Sequence, residues 1–247
     1  MKLISKPEKI SKDHYLLKIQ YQGSDPIPGQ FVSIKVNEGT DPLLRRPFSI
    51  FDYSENELKI VFKVAGKATS ILQNSALPEN TDISGPYGKG FTPLENSKVL
   101  LIGGGVGNAP LHYLSNKLRK TGCNVTYIYG SRSAEYIYCR DDFHKCSDST
   151  YYMTDDGTDG EKGFVSEKLS QLIKKEFFDF AYICGPSPMM KLCADILKAQ
   201  NINGEVSLEN YFGCGIGICS GCTVKTVNGN RRACIDGPVF NINEILL

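Results

Sequence analysis

Residues 98–110 read KVLLIGGGVGNAP: a continuous apolar strand that runs into Gly103, Gly104, Gly105 and Gly107 and then opens a helix. The same rhythm continues downstream. A helical stretch at 109–122 (APLHYLSNKLRKTG) leads to the strand NVTYIYG at 124–130. Another at 164–177 (FVSEKLSQLIKKEF) leads to the strand FAYICG at 180–185, and the helix SPMMKLCADILKAQ closes the series at 187–200. Strands alternating with helices specify a parallel sheet with helices on its faces. Residues 98–205 are therefore read as an α/β parallel-sheet nucleotide domain.

Upstream the pattern differs. HYLLKIQ (14–20), QFVSIKV (30–36) and ELKIVFKV (57–64) are short β-branched runs punctuated by Gly, Pro, Asp and Asn, with one short helix at 67–73. Such spacing predicts an antiparallel β-barrel or sandwich over 1–97. Residues 206–247 are short and rich in glycine and cysteine. They cannot bury a core of their own and need a staple. The predicted fold class is α+β and multidomain.

The 247 residues carry 28 Lys+Arg against 27 Asp+Glu, a net charge of +1, so no electrostatic footprint for nucleic acid or an anionic membrane exists. Hydrophobic residues at 41% and charged residues at 22% suit a soluble protein, and no apolar run is long enough to span a bilayer. The N-terminal MKLISKPEKISK lacks the apolar segment of a secretory signal, which makes the cytoplasm the expected compartment.

Four of the nine cysteines fall in one stretch, Cys214-GIGI-Cys219-SG-Cys222 and then Cys234. This is the C-x4-C-x2-C…C spacing of plant-type [2Fe–2S] sites, in which three thiolates on one loop wrap the cluster and a fourth arrives from a following hairpin. Here the hairpin is TVKTVNGNRRAC, with an Asn-Gly turn at 228–229. Glycines 213, 215, 217 and 221 let the backbone aim N–H groups at sulfur. A structural zinc is the rival reading, although zinc ribbons usually pair two C-x2-C knuckles and only one is present.

The loop Gly103-Gly104-Gly105-Val106-Gly107-Asn108 suits a dinucleotide phosphate set at a helix N-terminus, but Asn108 breaks the G-x-G-x-x-G rule. A tight strand–helix turn without ligand is the rival reading. The second strand ends in Ser131 and Arg132 rather than an acid, which would favour a 2′-phosphate if these are not merely solvated. Cys184, Gly185 and Pro186 follow the apolar strand FAYI, where a doubly wound sheet opens its ligand crevice. Arg46, Pro47, Phe48 and Ser49 begin a strand. Arg46 has the planar donors for a pyrophosphate, or is a solvated turn residue.

Taken in order, RRPFSI, GGGVGNAP with ICGPSPMM, and FGCGIGICSGC with ACIDGPVFN resemble the ferredoxin reductase-like flavoproteins over essentially the whole chain. Among them they are most similar to the electron transfer subunits of class B dihydroorotate dehydrogenases. The resemblance implies an FAD held between barrel and sheet domain by Arg46, Pro47, Phe48 and Ser49, by Val61, Phe62 and Lys63 on the next strand, and by Ala68 and Thr69. Ala68 stands where the family has glycine, which costs backbone room, and Lys63 stands where relatives often have arginine. It implies NAD(H) at Gly103, Gly104, Gly105, Gly107, Asn108, Cys184, Gly185 and Pro186, and a [2Fe–2S] cluster on Cys214, Cys219, Cys222 and Cys234.

The implied activity is that of an NADH-oxidising oxidoreductase subunit. A flavin can take a hydride pair and release electrons singly to a cluster, which would pass them to the FMN of a partner dihydroorotate dehydrogenase catalytic subunit in pyrimidine biosynthesis. Two copies of each subunit are expected, with no dihydroorotate site and no catalytic acid or base in this chain. Two rivals are a reductase subunit of another NAD(P)H-dependent complex and a non-enzymatic module holding structural zinc.

Overall fold

The computed structural model describes residues 1–74 and 81–246. The N-terminal part is one curled antiparallel sheet. Its strands run in the order Lys2–Leu3, His14–Gln20, Glu57–Lys63, Arg46–Ser54, Phe31–Ile34 and Ile83–Tyr87, with Glu8–Lys9 also paired to His14–Gln20. Alternation along His14–Gln20 points Leu17 and Ile19 inward to meet Val32, Ile34, Ile50, Leu58 and Ile60 in the concave core. Helix α1, Lys67–Asn74, lays Ala68 and Leu72 on that core. The sheet is an open half-barrel, so its rim remains available to the next layer.

That layer is a seven-stranded sheet ordered Glu161–Lys162, Ser149–Thr154, Asn124–Ser131, Lys98–Gly104, Phe180–Cys184, Gly204–Ser207 and Val239–Asn241. All its pairings are parallel except the last. Helices α2 (Asn108–Lys120), α3 (Arg140–Lys145), α4 (Val165–Leu172) and α5 (Ser187–Ala199) connect its strands. The chain returns past Lys98–Gly104 to place Phe180–Cys184 on its other side, which creates a switch point where the strand order reverses. Crevices for ligands open at the carboxyl ends of the two strands flanking such a point. Here those ends carry Gly103–Gly105 and Cys184–Pro186.

Ring stacking and hydrogen bonds join the layers. Phe51 of the half-barrel stacks on His112 of α2 at 4.1 Å, and the Tyr113 hydroxyl donates to the Pro26 carbonyl at 2.9 Å. The cysteine-rich segment also shares a core. Val239–Asn241 extends the parallel sheet as an antiparallel edge, while Cys222, Ala233, Cys234, Phe240 and Ile245 pack into the cluster that holds Leu100, Ile183 and Phe31. The staple expected from its small size is therefore in part ordinary apolar burial. Among the described residues no helix is long and apolar enough to cross a membrane.

Candidate functional site

Two cavities meet at Lys63. The first, about 510 Å³, lies at the switch point. Gly104, Gly105, Pro186 and Met189 form one wall, Gly130, Ser131, Arg132 and Asp155 another, and His14, Lys63 and Tyr136 close it from the half-barrel side. Lys63 and Arg132 line it and stand 5.9 and 5.7 Å from the Tyr136 ring, with Lys12, paired to Glu135, 5.1 Å from the same ring. Cations gathered beside a glycine loop suit a phosphate-bearing ligand.

The loop itself is held from below. Asn108 is completely buried. Its Nδ2 donates to the Gly105 carbonyl at 2.9 Å, and its Oδ1 accepts from the Tyr127 hydroxyl at 3.2 Å. The position that broke the glycine rule thus fixes the loop from inside rather than facing the cavity. Gly107 packs so closely on the next crossover that a Cβ there would sit 2.7 Å from the Cys184 carbonyl. Cys184 is buried beneath the cavity wall, with its thiol beside Ser207 and Glu209, and burial pushes that thiol up. The Ser131 hydroxyl donates to the Ser133 carbonyl at 3.0 Å. Asp155 is raised by burial while the charge of Arg132 pulls it down.

The second cavity, about 360 Å³, lies between half-barrel, sheet and tail. Pro47, Phe48, Ser49, Val61, Phe62 and Lys63 line it from the half-barrel, Val106, Ala109 and Pro110 from the sheet domain, and Glu209, Asn210, Phe212 and Pro238 from the tail. Six of the residues expected at a flavin are brought together there. Arg46, Ala68 and Thr69 are not on that wall. The Arg46 guanidinium donates to the Leu44 carbonyl at 2.5 Å, and Ala68 is buried in the half-barrel core. The Thr69 hydroxyl accepts from the Ala65 and Gly66 amides at 2.9 and 3.1 Å, capping α1 beside Ala65, which does reach the cavity. Phe31, Glu209, Asn210 and Phe212 carry no local signal in the sequence. Glu209 faces the open space of the cavity yet is surrounded by protein, which raises its carboxyl against the pull of Lys63.

Phe212 packs on Phe31 at 4.8 Å, and two residues later the chain enters the cysteine loop at Cys214. The four thiols fall into two pairs. The Cys214 sulfur accepts from the Ile218 and Cys219 amides at 3.3 and 3.4 Å, and the Cys219 sulfur accepts from the Cys214 and Gly221 amides, both at 3.4 Å. The Cys222 sulfur accepts from the Cys234 amide at 3.4 Å. These amides lower Cys214 to about 6, whereas burial lifts Cys234 to about 11. Among the described residues no three thiol, imidazole or carboxyl groups converge as a single-ion site. Two pairs of sulfurs with amides aimed at them fit an anionic two-iron cluster better than one tetrahedral zinc. Gly217 adopts φ +82, and a Cβ there would strike Ile235 at 2.5 Å, so the loop can turn over the hairpin only with glycine.

A half-barrel flavin module, a switch-point nucleotide crevice and a cysteine-loop tail define a ferredoxin reductase-like oxidoreductase with an appended iron–sulfur domain. Comparisons with known proteins agree. Residues 101–195 match the oxidoreductase NAD-binding domain, and residues 209–246 match the iron–sulfur cluster binding domain of dihydroorotate dehydrogenase B. The chain is similar to dihydroorotate dehydrogenase B (NAD(+)) electron transfer subunits from Desulforamulus reducens (41% identical, covering 87% of this chain and 84% of the relative) and Fusobacterium nucleatum (36%, covering 96% and 94%). The chain belongs to the family of dihydroorotate dehydrogenase B electron transfer subunits. Among solved structures, one described as an NADH-dependent reduced ferredoxin-NADP oxidoreductase superposes with a TM-score of 0.89 at 32% identity, covering 100% of this chain and 90% of that one. A flavohemoglobin from Malassezia yamatoensis with bound FAD and heme shares the fold, at TM-score 0.65 and 24% identity.

Proposed function

We propose that this chain is the electron transfer subunit of a dihydroorotate dehydrogenase of the NAD-linked type. It would carry electrons between NADH and a catalytic subunit that makes orotate for pyrimidine synthesis. Bound at these sites, FAD would exchange a hydride with NADH, and a [2Fe–2S] cluster would move the same electrons one at a time to the FMN of the partner. The observation that carries this reading is continuity: the nucleotide cavity joins the flavin cavity at Lys63, and Phe212 on the flavin cavity stands two residues from Cys214.

Each part of the chain has a separable task, and units of 1–97, 98–205 and 206–247 correspond to them. Pro47 to Ser49 and Val61 to Lys63 hold the isoalloxazine side of the flavin, with Arg46 swinging off the Leu44 carbonyl to meet its pyrophosphate. Ala68 and Thr69 support the phosphates through the start of α1. Gly103, Gly104, Gly105, Gly107, Gly185 and Pro186 shape the nicotinamide crevice, with Asn108 and Cys184 buttressing it. Asp155, close enough to feel the charge of Arg132, offsets part of the positive charge a 2′-phosphate would need, in keeping with NADH. Cys214, Cys219, Cys222 and Cys234 hold the cluster. Cys219 is exposed, and Tyr211, Ile216, Ile218 and Ile235 of the same C-terminal segment are exposed apolar side chains, at which the catalytic subunit docks. An assembly with two of each subunit, in the cytoplasm, completes the proposal. No side chain here is needed as a general acid or base, because hydride transfer moves no separate proton.

The test is reconstitution. Co-purified with an FMN-containing catalytic subunit, the chain should support NADH-dependent reduction of orotate that neither subunit performs alone. The 0.89 superposition favours a second reading, a subunit of a ferredoxin–NADP oxidoreductase. Ferredoxin-dependent NADP reduction without orotate turnover would establish that reading instead.

A further inference from the structure

Strand Phe31–Ile34 pairs antiparallel with Arg46–Ser54 on one side and Ile83–Tyr87 on the other, and the registers set Phe31 directly across from Ser49 and from Tyr87. Cross-strand neighbours leave a sheet on the same face, so Phe31 and Ser49 stand side by side on the second cavity. Phe31 is only 2% exposed, and its ring is packed from several directions. The Phe212 ring lies 4.8 Å away and the Tyr87 ring 5.9 Å. One edge of the Phe31 ring meets the cysteine loop at Gly215, which adopts φ +71 and where a Cβ would stand 4.0 Å from the ring. Phe31 also belongs to the apolar cluster that contains Cys222 and Cys234. Phe212 is half-buried, lines the same cavity, and leads into the loop at Cys214. What stands between the second cavity and the cysteine loop along this line is therefore one phenylalanine ring with a second packed on it.

We propose that Phe31 and Phe212 form the bridge over which single electrons pass between the flavin and the cluster. The inference rests on the functional reading above. Both are positioning residues: they keep the gap short and filled, and they take part in no bond. Each crossing removes one electron from the reduced flavin and adds one to the oxidised cluster, and the catalytic subunit must take that electron before the second follows. Electron exchange falls steeply when a gap widens or opens into a void. Truncating either ring leaves a void whose lining loses its contacts, so the crossing should suffer before the binding of either group does.

The experiment uses the FAD- and cluster-loaded chain co-purified with its catalytic subunit and mixed anaerobically with excess NADH. Two rates are read from the same sample: the first phase of flavin bleaching, and the growth of the reduced-cluster signal in freeze-quench electron paramagnetic resonance. In Phe212→Ala the second rate should fall severalfold relative to the first, and Phe212→Tyr, which keeps the ring, should restore the ratio. Phe31→Leu, which keeps an apolar side chain in the core without the ring, should lower the ratio in the same direction. Spectroelectrochemical titration should return flavin and cluster potentials matching those of the unmodified protein, because the rings set the path and not the driving force. An unchanged ratio in either Phe212→Ala or Phe31→Leu overturns the inference. So does a Phe212→Tyr variant as slow as Phe212→Ala, or a fall in cluster potential large enough to account for the slowing, which assigns the rings to tuning the cluster. An unmodified protein whose cluster stays oxidised under NADH removes the functional reading itself.

Discussion

Arg232 and Gly217 are joined by a hydrogen bond of 2.9 Å from guanidinium to carbonyl, which ties the C-terminal hairpin to the summit of the cysteine loop. Asp236 braces the same arginine, accepting from its backbone amide at 2.7 Å. The loop carries Cys214 and Cys219, while the hairpin leads to Cys234, so this bond links the two halves of the cluster site. Arg232→Ala should cost about 1 kcal/mol locally and speed chelator-driven loss of the cluster several-fold. The decay of visible iron–sulfur absorption under EDTA reads the rate, and decay as slow as in the unmodified protein would dismiss the brace.

Gly107 is a point where backbone meets backbone. A methyl group there would press on the Cys184 carbonyl and Gly185 Cα at 2.7 Å, atoms that cannot rotate away. Gly107→Ala should destabilise by about 1–3 kcal/mol through overpacking and lower Tm by several degrees. NADH affinity should fall with it, because the strained atoms form the nucleotide crevice. Calorimetric melting checks the first effect and NADH titration the second.

Burial lowers His14 from 6.5 to about 4, with Asp13 opposing and Lys63 assisting, and burial also lowers His112. Between about pH 6.5 and 4 the unfolded chain therefore binds protons that the folded chain refuses. Stability rises with pH across that window and is lost on acidification, by at most ~1.4 kcal/mol per pH unit for each histidine. His14→Phe removes one such group, so its Tm should fall less steeply than that of the unmodified protein between pH 6.5 and 4.5. Parallel curves would show that His14 titrates normally.

Ile218, one residue before Cys219, is 78% exposed. A charge there should oppose docking without touching the flavin or nucleotide sites. Ile218→Asp should weaken capture by the catalytic subunit at least tenfold and leave NADH-driven flavin bleaching intact. Equal capture would move the interface elsewhere.

The sequence disclosed those parts that depend on local pattern. His14–Gln20 and Lys98–Gly104 form where alternation and continuous apolarity place them, and α1 begins at Lys67 as expected. Ile83–Tyr87 was hidden because SGPY reads as a turn; its pairing with Phe31–Ile34, through a register shift, supplies the strand. Ser149–Thr154 and α3 were passed over among polar residues, since their apolar partners come from Asn124–Ser131 and α2. The cysteine spacing was legible because three of the four cysteines fall in one loop. Most of this second cavity was legible through the RPFS stretch and Val61 to Lys63, but Phe31 meets Glu209, Asn210 and Phe212 from a strand in the other half of the chain. Asn108 looked like a ligand contact and proves to be the loop's internal support, a distinction that depends on Tyr127 lying beneath it.

The most direct measurement is the iron, acid-labile sulfide and zinc content of anaerobically purified protein. Two pairs of thiols call for iron and sulfide in equal amounts, about two of each per chain, with zinc absent. One zinc per chain with no sulfide would leave the electrons no exit at Cys219 and contradict the assignment of this chain as an electron carrier.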